Sequence, residues 1–175
     1  MKVRLTVNGE DREVEVEPRR LLSDVLRHEL DCQGVHLGCE HGVCGACTVI
    51  MDGVAVRSCL TLAPQAEGTT VLTTEGLGTP EHPSVVQRAF KTEHGLQCGF
   101  CTPGFVCAIT AMLDDVDEMD DGELREALAG NICRCTGYAN IVKAARRAAA
   151  ERDESDSVIR QGGGCCGEQR GCCNG

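Results

Sequence analysis

Gly38-Cys39-Glu40-His41-Gly42-Val43-Cys44-Gly45-Ala46-Cys47 is the stretch on which the fold and chemistry of this chain turn. Its three cysteines are spaced C-x4-C-x2-C, and a fourth, Cys59, follows at a distance. Iron bound by sulfur wants soft thiolate donors in a tetrahedral array. A tight loop supplies three of them, and a thiol on the next strand supplies the fourth. Gly38, Gly42 and Gly45 relieve the loop of Cβ crowding. Backbone N–H groups beside them can then point at sulfur that carries negative charge. Zinc is the alternative, but zinc ligands usually come as two close pairs, and a triplet of x4 then x2 fits a cluster loop better. Four cysteines fill the site, so His41 reads as a solvent-facing loop residue.

This spacing is the one plant-type ferredoxins use for a [2Fe–2S] cluster, and the flanks suit such a domain. Upstream, Val3, Leu5 and Val7 alternate, Asn8-Gly9 signals a tight turn, and Val14 and Val16 alternate again. Residues 21–30 read as a short helix with Leu22, Val25, Leu26 and Leu30 on one face, and Ser23 or Asp24 near its start. Downstream, residues 48–51 and 54–59 form a second hairpin pattern about Asp52-Gly53, and residues 70–73 add a strand. Residues 1–76 are thus expected to be a small mixed sheet with one helix.

Composition changes at residues 77–80, a Gly- and Pro-containing linker. Helical patterns follow over residues 83–94, 102–113, 123–129 and 141–152. Thr102-Pro103 reads as cap and first turn of the second, and Asp120 or Asp121 as cap of the third. Lys143, Arg146 and Arg147 suit the C-terminal half of the fourth. The acidic residues 114–121 read as a solvated loop. Four helices with short connections suggest a four-helix bundle over residues 81–152. Cys98 and Cys101 lie between the first two helices, Cys133 and Cys135 between the last two. An up-down bundle brings alternate loops to one end, where four thiolates can meet. Taken alone, that set is ambiguous between zinc and a cluster.

The flanks decide it: Gln97-Cys98-Gly99-Phe100-Cys101-Thr102-Pro103-Gly104 and Asn131-Ile132-Cys133-Arg134-Cys135-Thr136-Gly137-Tyr138. With these motifs in this order, residues 1–152 resemble the small iron–sulfur subunit, or N-terminal iron–sulfur portion, of molybdenum hydroxylases. These include xanthine dehydrogenases, aldehyde oxidoreductases and aerobic carbon monoxide dehydrogenases. The resemblance implies an α+β chain: a β-grasp ferredoxin domain followed by a four-helix bundle domain. It implies two [2Fe–2S] clusters, one on Cys39, Cys44, Cys47 and Cys59, the other on Cys98, Cys101, Cys133 and Cys135. The second cluster would lie nearer a molybdopterin held by a large partner subunit, with Gln97 and Cys135 contacting the pterin. The first would lie nearer the FAD of a medium subunit. The chain would then pass electrons singly from molybdenum to flavin within a hetero-oligomer. It would be part of an oxidoreductase without acting on substrate itself.

Composition narrows the alternatives. The net charge is −10, with no Trp, one Tyr and three Phe. An acidic chain poor in aromatics argues against nucleic-acid binding. No apolar run approaches the roughly 18 residues of a membrane span. The alternating opening residues read as a strand rather than an export signal, and Arg19-Arg20 as solvated arginines, so a cytoplasmic location is expected. Thiols there stay reduced, and clustered cysteine reads as metal binding. Two competing readings are an independent two-cluster carrier or redox sensor, and a zinc-stabilised interaction module. Cys107, inside a helix, reads as a core residue; Cys32 receives no role. Phe100 and Phe105 read as packing around the second cluster. In residues 153–175, Cys165-Cys166 and Cys172-Cys173 stand among glycines in a segment too poor in apolar side chains to fold alone. They admit three readings: a disordered tail with incidental thiols, a third metal site, or a disulfide or reactive-thiol role.

Overall fold

The structure is a computed structural model that describes residues 1–152; the four tail cysteines and the readings placed on them lie outside the described residues. The architecture is α+β, a five-stranded mixed sheet followed by helices. β1 (Lys2–Val7) and β2 (Glu10–Glu15) form an antiparallel hairpin with Val3 opposite Val14. Asn8 and Gly9 take φ of +52° and +84°, the left-handed pair that lets a two-residue turn follow strand twist. Asp52 and Gly53 do the same, at +48° and +82°, between β3 (Thr48–Met51) and β4 (Val54–Arg57). β5 (Thr70–Leu72) runs parallel to β1 and antiparallel to β3, giving the order β2-β1-β5-β3-β4.

Alternation buries Val3, Leu5 and Val7 under the sheet and leaves Lys2 and Arg4 outside. α1 (Leu22–His28) lays Leu22, Val25 and Leu26 into the same core, beside Val16, Val35, Val49 and Val71. Burying each such side chain contributes about 1.5–3 kcal/mol. The helix is shorter than its periodicity predicts: the Leu30 amide returns to the Val25 carbonyl at 3.1 Å and Asp31 turns left-handed, at φ +56°. Neither Ser23 nor Asp24 caps it. Leu21 holds the cap position without a side-chain bond, and the buried Ser23 hydroxyl has no hydrogen-bond partner.

A second core is shared by α2 (Val85–Thr92), α3 (Thr102–Ala111), α4 (Asp121–Leu128) and α5 (Ala139–Glu151). Phe90, Phe105, Ile109, Leu124, Leu128 and Ile141 fill it, while Ala89, Ala144, Ala145 and Ala148 let α2 and α5 approach closely. Reciprocal boxes open two helices, Ser84 with Gln87 on α2 and Asp120 with Glu123 on α4. Two sequence expectations need correction. Thr102 is the first residue of α3 rather than its cap; Cys101 holds the cap position, and the Thr102 hydroxyl finds no partner. Residues 114–121 are more than a solvated loop: Val116 is fully buried, and the Arg146 guanidinium donates to the Val116 and Met119 carbonyls at 2.6 and 2.7 Å. Phe105 is fully buried in this core, and Phe100, next to Cys101, is half-exposed with its ring stacked on His36, centroids 4.9 Å apart.

The two halves meet where α3 packs on β3. A Cβ on Gly104 of α3 would stand 2.4 Å from the Gly45 carbonyl oxygen, so only glycine permits the approach. Arg57, at the end of β4, donates to Thr48 Oγ1 at 2.6 Å, to the Gly130 carbonyl at 2.6 Å and to Asn131 Oδ1 at 3.2 Å. The same contact holds the two cysteine loops against each other.

Candidate metal centres

Two sets of four cysteines converge, and none of the ten cysteines among the described residues is in a disulfide. In the first set, the β3–β4 hairpin supplies two thiols. Cys47 precedes β3 and Cys59 follows β4, and the Ser58 hydroxyl and amide bind the Cys47 carbonyl at 2.7 and 3.3 Å. Both thiols are buried, at 2% and 3% exposure. Burial and the adjacent Cys47 push the Cys59 thiol up to about 11. The loop supplies the other two. Glu40, Gly42 and Gly45 take left-handed φ of +57°, +83° and +74°, a winding that turns successive N–H groups toward the concave side. The Cys44 amide lies 3.3 Å from Cys39 Sγ. N–H groups of His41, Cys44 and Val43 together hold the Cys39 thiol down at about 6. His41 is exposed as expected, its Nδ1 turned to the Cys39 carbonyl.

Glycine serves this loop in ways composition alone did not show. A Cβ on Gly38 would press on Cys44 Sγ at 3.1 Å and on the Phe100 ring at 3.2 Å; one on Gly42 would meet Leu60 at 2.4 Å. On Gly45 it would collide with Gly130 and Asn131 of the other half, at 2.7 to 2.9 Å.

In the second set, the α2–α3 loop carries exposed Cys98 and buried Cys101, and the α4–α5 loop carries buried Cys133 and exposed Cys135. Cys98 Sγ and Cys135 Sγ lie 3.5 Å apart. Burial, then the neighbouring Cys133, pushes the Cys101 thiol up to about 12. Burial also pushes Cys133 up, but the Thr136 hydroxyl and amide outweigh it and hold this thiol below its ordinary value. Cys135 is raised by its contact with Cys98. Gln97 is exposed beside Cys98. Exposed apolar side chains flank these cysteines in sequence: Leu96, Phe100 and Ile132 are 41%, 47% and 47% exposed.

The loops touch directly. The Ile132 amide donates to the Cys44 carbonyl at 2.9 Å, and Asn131 Nδ2 donates to the Gly45 carbonyl at 3.0 Å. Sequence reading missed Arg57, Thr48 and Asn131, because nothing in the local pattern shows that they meet. The signal available was a polar Asn two residues before a cysteine pair.

These sets fit iron–sulfur clusters. Each is all sulfur, and each juxtaposes buried thiols whose joint ionisation is opposed by burial and mutual repulsion until cationic metal compensates. Among the described residues, no three or more His, Cys, Asp or Glu side chains close on a single-ion site. Cys107, 1% exposed inside α3, is a core residue, and Cys32, 5% exposed, packs under the sheet. No helix among the described residues is long and apolar enough to cross a membrane.

Comparison with known proteins gives concordant results. Residues 5–73 match the family model of a 2Fe-2S iron-sulfur cluster binding domain, and residues 73–146 that of a [2Fe-2S] binding domain. The chain is 53% identical over 146 residues to caffeine dehydrogenase subunit gamma of Pseudomonas sp. (strain CBB1), covering 81% of this chain and 87% of that one. It is 51% identical over 144 residues to the nicotine 6-hydroxylase small subunit of Paenarthrobacter nicotinovorans, covering 82% and 87%. Its structure superposes on that of quinoline 2-oxidoreductase from Pseudomonas putida 86 with TM-score 0.81 and 43% identity, covering 93% of this chain and 98% of that one.

Proposed function

The chain belongs to the family of small [2Fe–2S] subunits of molybdenum hydroxylases of the xanthine dehydrogenase and aldehyde oxidoreductase type, and from that premise we propose that it carries electrons from a molybdopterin centre to FAD, both held by partner subunits. Cys39, Cys44, Cys47 and Cys59 hold one cluster, and Cys98, Cys101, Cys133 and Cys135 the other. On this reading the chain comprises a β-grasp domain over residues 1–76, a linker over residues 77–80 and a four-helix bundle over residues 81–152. The clusters supply one-electron chemistry when bound; the chain's residues hold, insulate and tune them.

The observation that carries this reading is the direct hydrogen bond between the two cysteine loops, Ile132 N–H to Cys44 C=O. A chain that only needed two structural metal sites would have no use for placing them back to back. The outward ends of the sites fit docking. Exposed Gln97, Cys98 and Cys135 with their apolar sequence neighbours suit a large molybdopterin subunit, with Gln97 and Cys135 reaching the pterin. Val43, Leu60 and Leu62, exposed about the first loop, suit a medium FAD subunit. The complex is then a cytoplasmic hetero-oligomer. Its substrate class follows the relatives that act on N-heterocycles, caffeine and nicotine among them.

Replacing Cys98 by Ser in the assembled complex tests the reading. One EPR signal should be lost or distorted and the other kept, with electron flow to an external acceptor sharply reduced. Two intact clusters with normal transfer in that variant would defeat the ligand set.

A further inference from the structure

The loop that follows the second cysteine pair makes a closed hydrogen-bonded ring around one sulfur. Thr136 Oγ1 lies 3.1 Å from Cys133 Sγ, and the Thr136 amide lies 3.5 Å from the same sulfur. Thr136 Oγ1 also accepts from the Tyr138 amide at 3.2 Å. That bond occupies a lone pair of the hydroxyl oxygen and leaves its own proton free to point at sulfur. A free thiol could instead donate to Thr136, but a thiolate bound to iron has no proton, so the hydroxyl becomes the donor. The ring is held in place by its backbone. Gly137 and Tyr138 are both left-handed, at φ +66° and +68°, which turns the Tyr138 amide back toward Thr136. The Tyr138 phenol oxygen accepts from the Cys133 amide at 3.0 Å and donates to the Asn131 carbonyl at 3.3 Å, bracing the chain on the other side of the sulfur.

The first centre differs. Cys39 takes its hydrogen bonds from backbone N–H groups, which any residue of the loop supplies. At Cys133 a side-chain hydroxyl on a half-buried residue joins the backbone N–H groups, and a single substitution can remove it.

We propose that Thr136 sets the reduction potential of the second cluster, raising it through an O–H···S hydrogen bond to the Cys133 thiolate. The proposal rests on the assignment of Cys133 as an iron ligand. Reduction adds one electron to the cluster and so adds negative charge to its sulfurs. A donor aimed at a ligand sulfur stabilises that reduced form more than the oxidised one, and the potential rises. No proton is transferred: the hydroxyl keeps its hydrogen in both states, and the electron comes from the molybdopterin centre in turnover or from dithionite in a titration. A higher potential at the cluster nearer the pterin favours electron removal from that centre. Thr136 is thus a positioning residue of the relay.

The test is potentiometric titration with dithionite, read by EPR, on the assembled, iron-loaded complex carrying Thr136→Val, Thr136→Ala or Thr136→Ser. In the Val and Ala variants the midpoint potential of one signal should fall and that of the other should stay. The Ser variant should return the wild-type value. One proton hyperfine coupling of that signal that disappears on exchange into deuterated water should be present in wild type and Ser and absent from Val and Ala. Val or Ala complexes with both signals present and unchanged midpoints would overturn the assignment. So would loss of that cluster from both variants with recovery in Ser, since Thr136 would then be structural. Failure of the underlying ligand reading shows separately, as a Cys133→Ser complex in which both signals keep their wild-type shape and intensity.

Discussion

The Asn131 side-chain amide donates to the Gly45 carbonyl at 3.0 Å, joining residues 86 positions apart in sequence. Gly45 lies between Cys44 and Cys47, and Asn131 lies two residues before Cys133, so one side chain ties both cysteine loops together. It is 3% exposed and makes further bonds, donating to Thr48 Oγ1 and accepting from Arg57. The Gly45 carbonyl also accepts from the Thr48 amide and hydroxyl, so Asn131→Ala does not orphan it. The expected cost is that of the lost bonds, about 1–3 kcal/mol. Thermal unfolding followed by visible absorbance should show a lower midpoint with both clusters still present at low temperature. An unaltered melt would mean that the polar contact between the halves carries no stability.

Gly104→Ala should reverse the usual helix rule. Within a helix, alanine is favoured over glycine by about 0.5–1 kcal/mol. Here the added methyl carbon would stand 2.4 Å from a backbone oxygen of the first cluster loop, which cannot swing away as a side chain could. The variant should be less stable than wild type and should lose the first cluster's signal before the second on heating. A stabilised variant would mean that α3 can lift off the loop without loss.

Much of this was legible in the sequence because it depends on local pattern. Asn8-Gly9 and Asp52-Gly53 announce their turns, Asp120 announces a helix start, and the cysteine spacings announce the sites. What stayed hidden depends on contacts between distant segments. Phe100 and Phe105 read alike from their type, yet only Phe105 is in the core, and a histidine 64 positions away pairs with Phe100, His36 Nδ1 donating to the Phe100 carbonyl at 2.6 Å. Val116 sits among acidic residues and reads as solvated, until Arg146 of α5 takes up the carbonyls of its loop. Arg57 carries no motif, and its role exists only because Gly130 and Asn131 arrive beside it.

Among the described residues, Cys32 and Cys107, the two thiols outside the ligand sets, should be inert in the folded chain. Burial pushes Cys107 up to about 12 and raises Cys32 as well, the nearby Glu75 adding to both. Alkylation of the folded complex at pH 8, read by peptide mass spectrometry, should leave both peptides unlabelled, with labelling appearing on denaturation. Rapid labelling of Cys107 under native conditions would contradict its place in the helical core.

Glu13 gives a pH signature on the sheet. Hydrogen bonds from Lys2 and then Arg4, at 2.5 and 2.7 Å, hold its carboxyl down from the usual 4.5 to about 2. Because the folded value is depressed, the stabilisation is fully present above pH 4.5 and is lost as pH falls through about 2. The group is exposed, so the effect is small and screened by salt. The difference in melting temperature between wild type and Glu13→Gln should shrink across that window and in high salt. A gap that persisted unchanged at pH 2 would assign it to something other than these ion pairs.

Phe100 tests docking apart from cluster binding. Its ring is 47% exposed, lies against Gly38 of the first loop, and precedes Cys101 of the second, with exposed Leu96 and Ile132 flanking the same cysteine motifs in sequence. Phe105, not Phe100, fills the core beneath, so Phe100→Ala removes little internal packing. At an interface, truncating a central aromatic typically costs about 2 kcal/mol or more, some thirtyfold in affinity. Complex assembly, measured by size exclusion of the chain with its partner subunits at limiting concentration, should therefore weaken by at least tenfold. Iron content and both EPR signals of the isolated variant should match wild type. Assembly at wild-type affinity would remove Phe100 from the interface. Loss of a cluster from the isolated variant would make Phe100 part of the shell that keeps the cysteine loops in place.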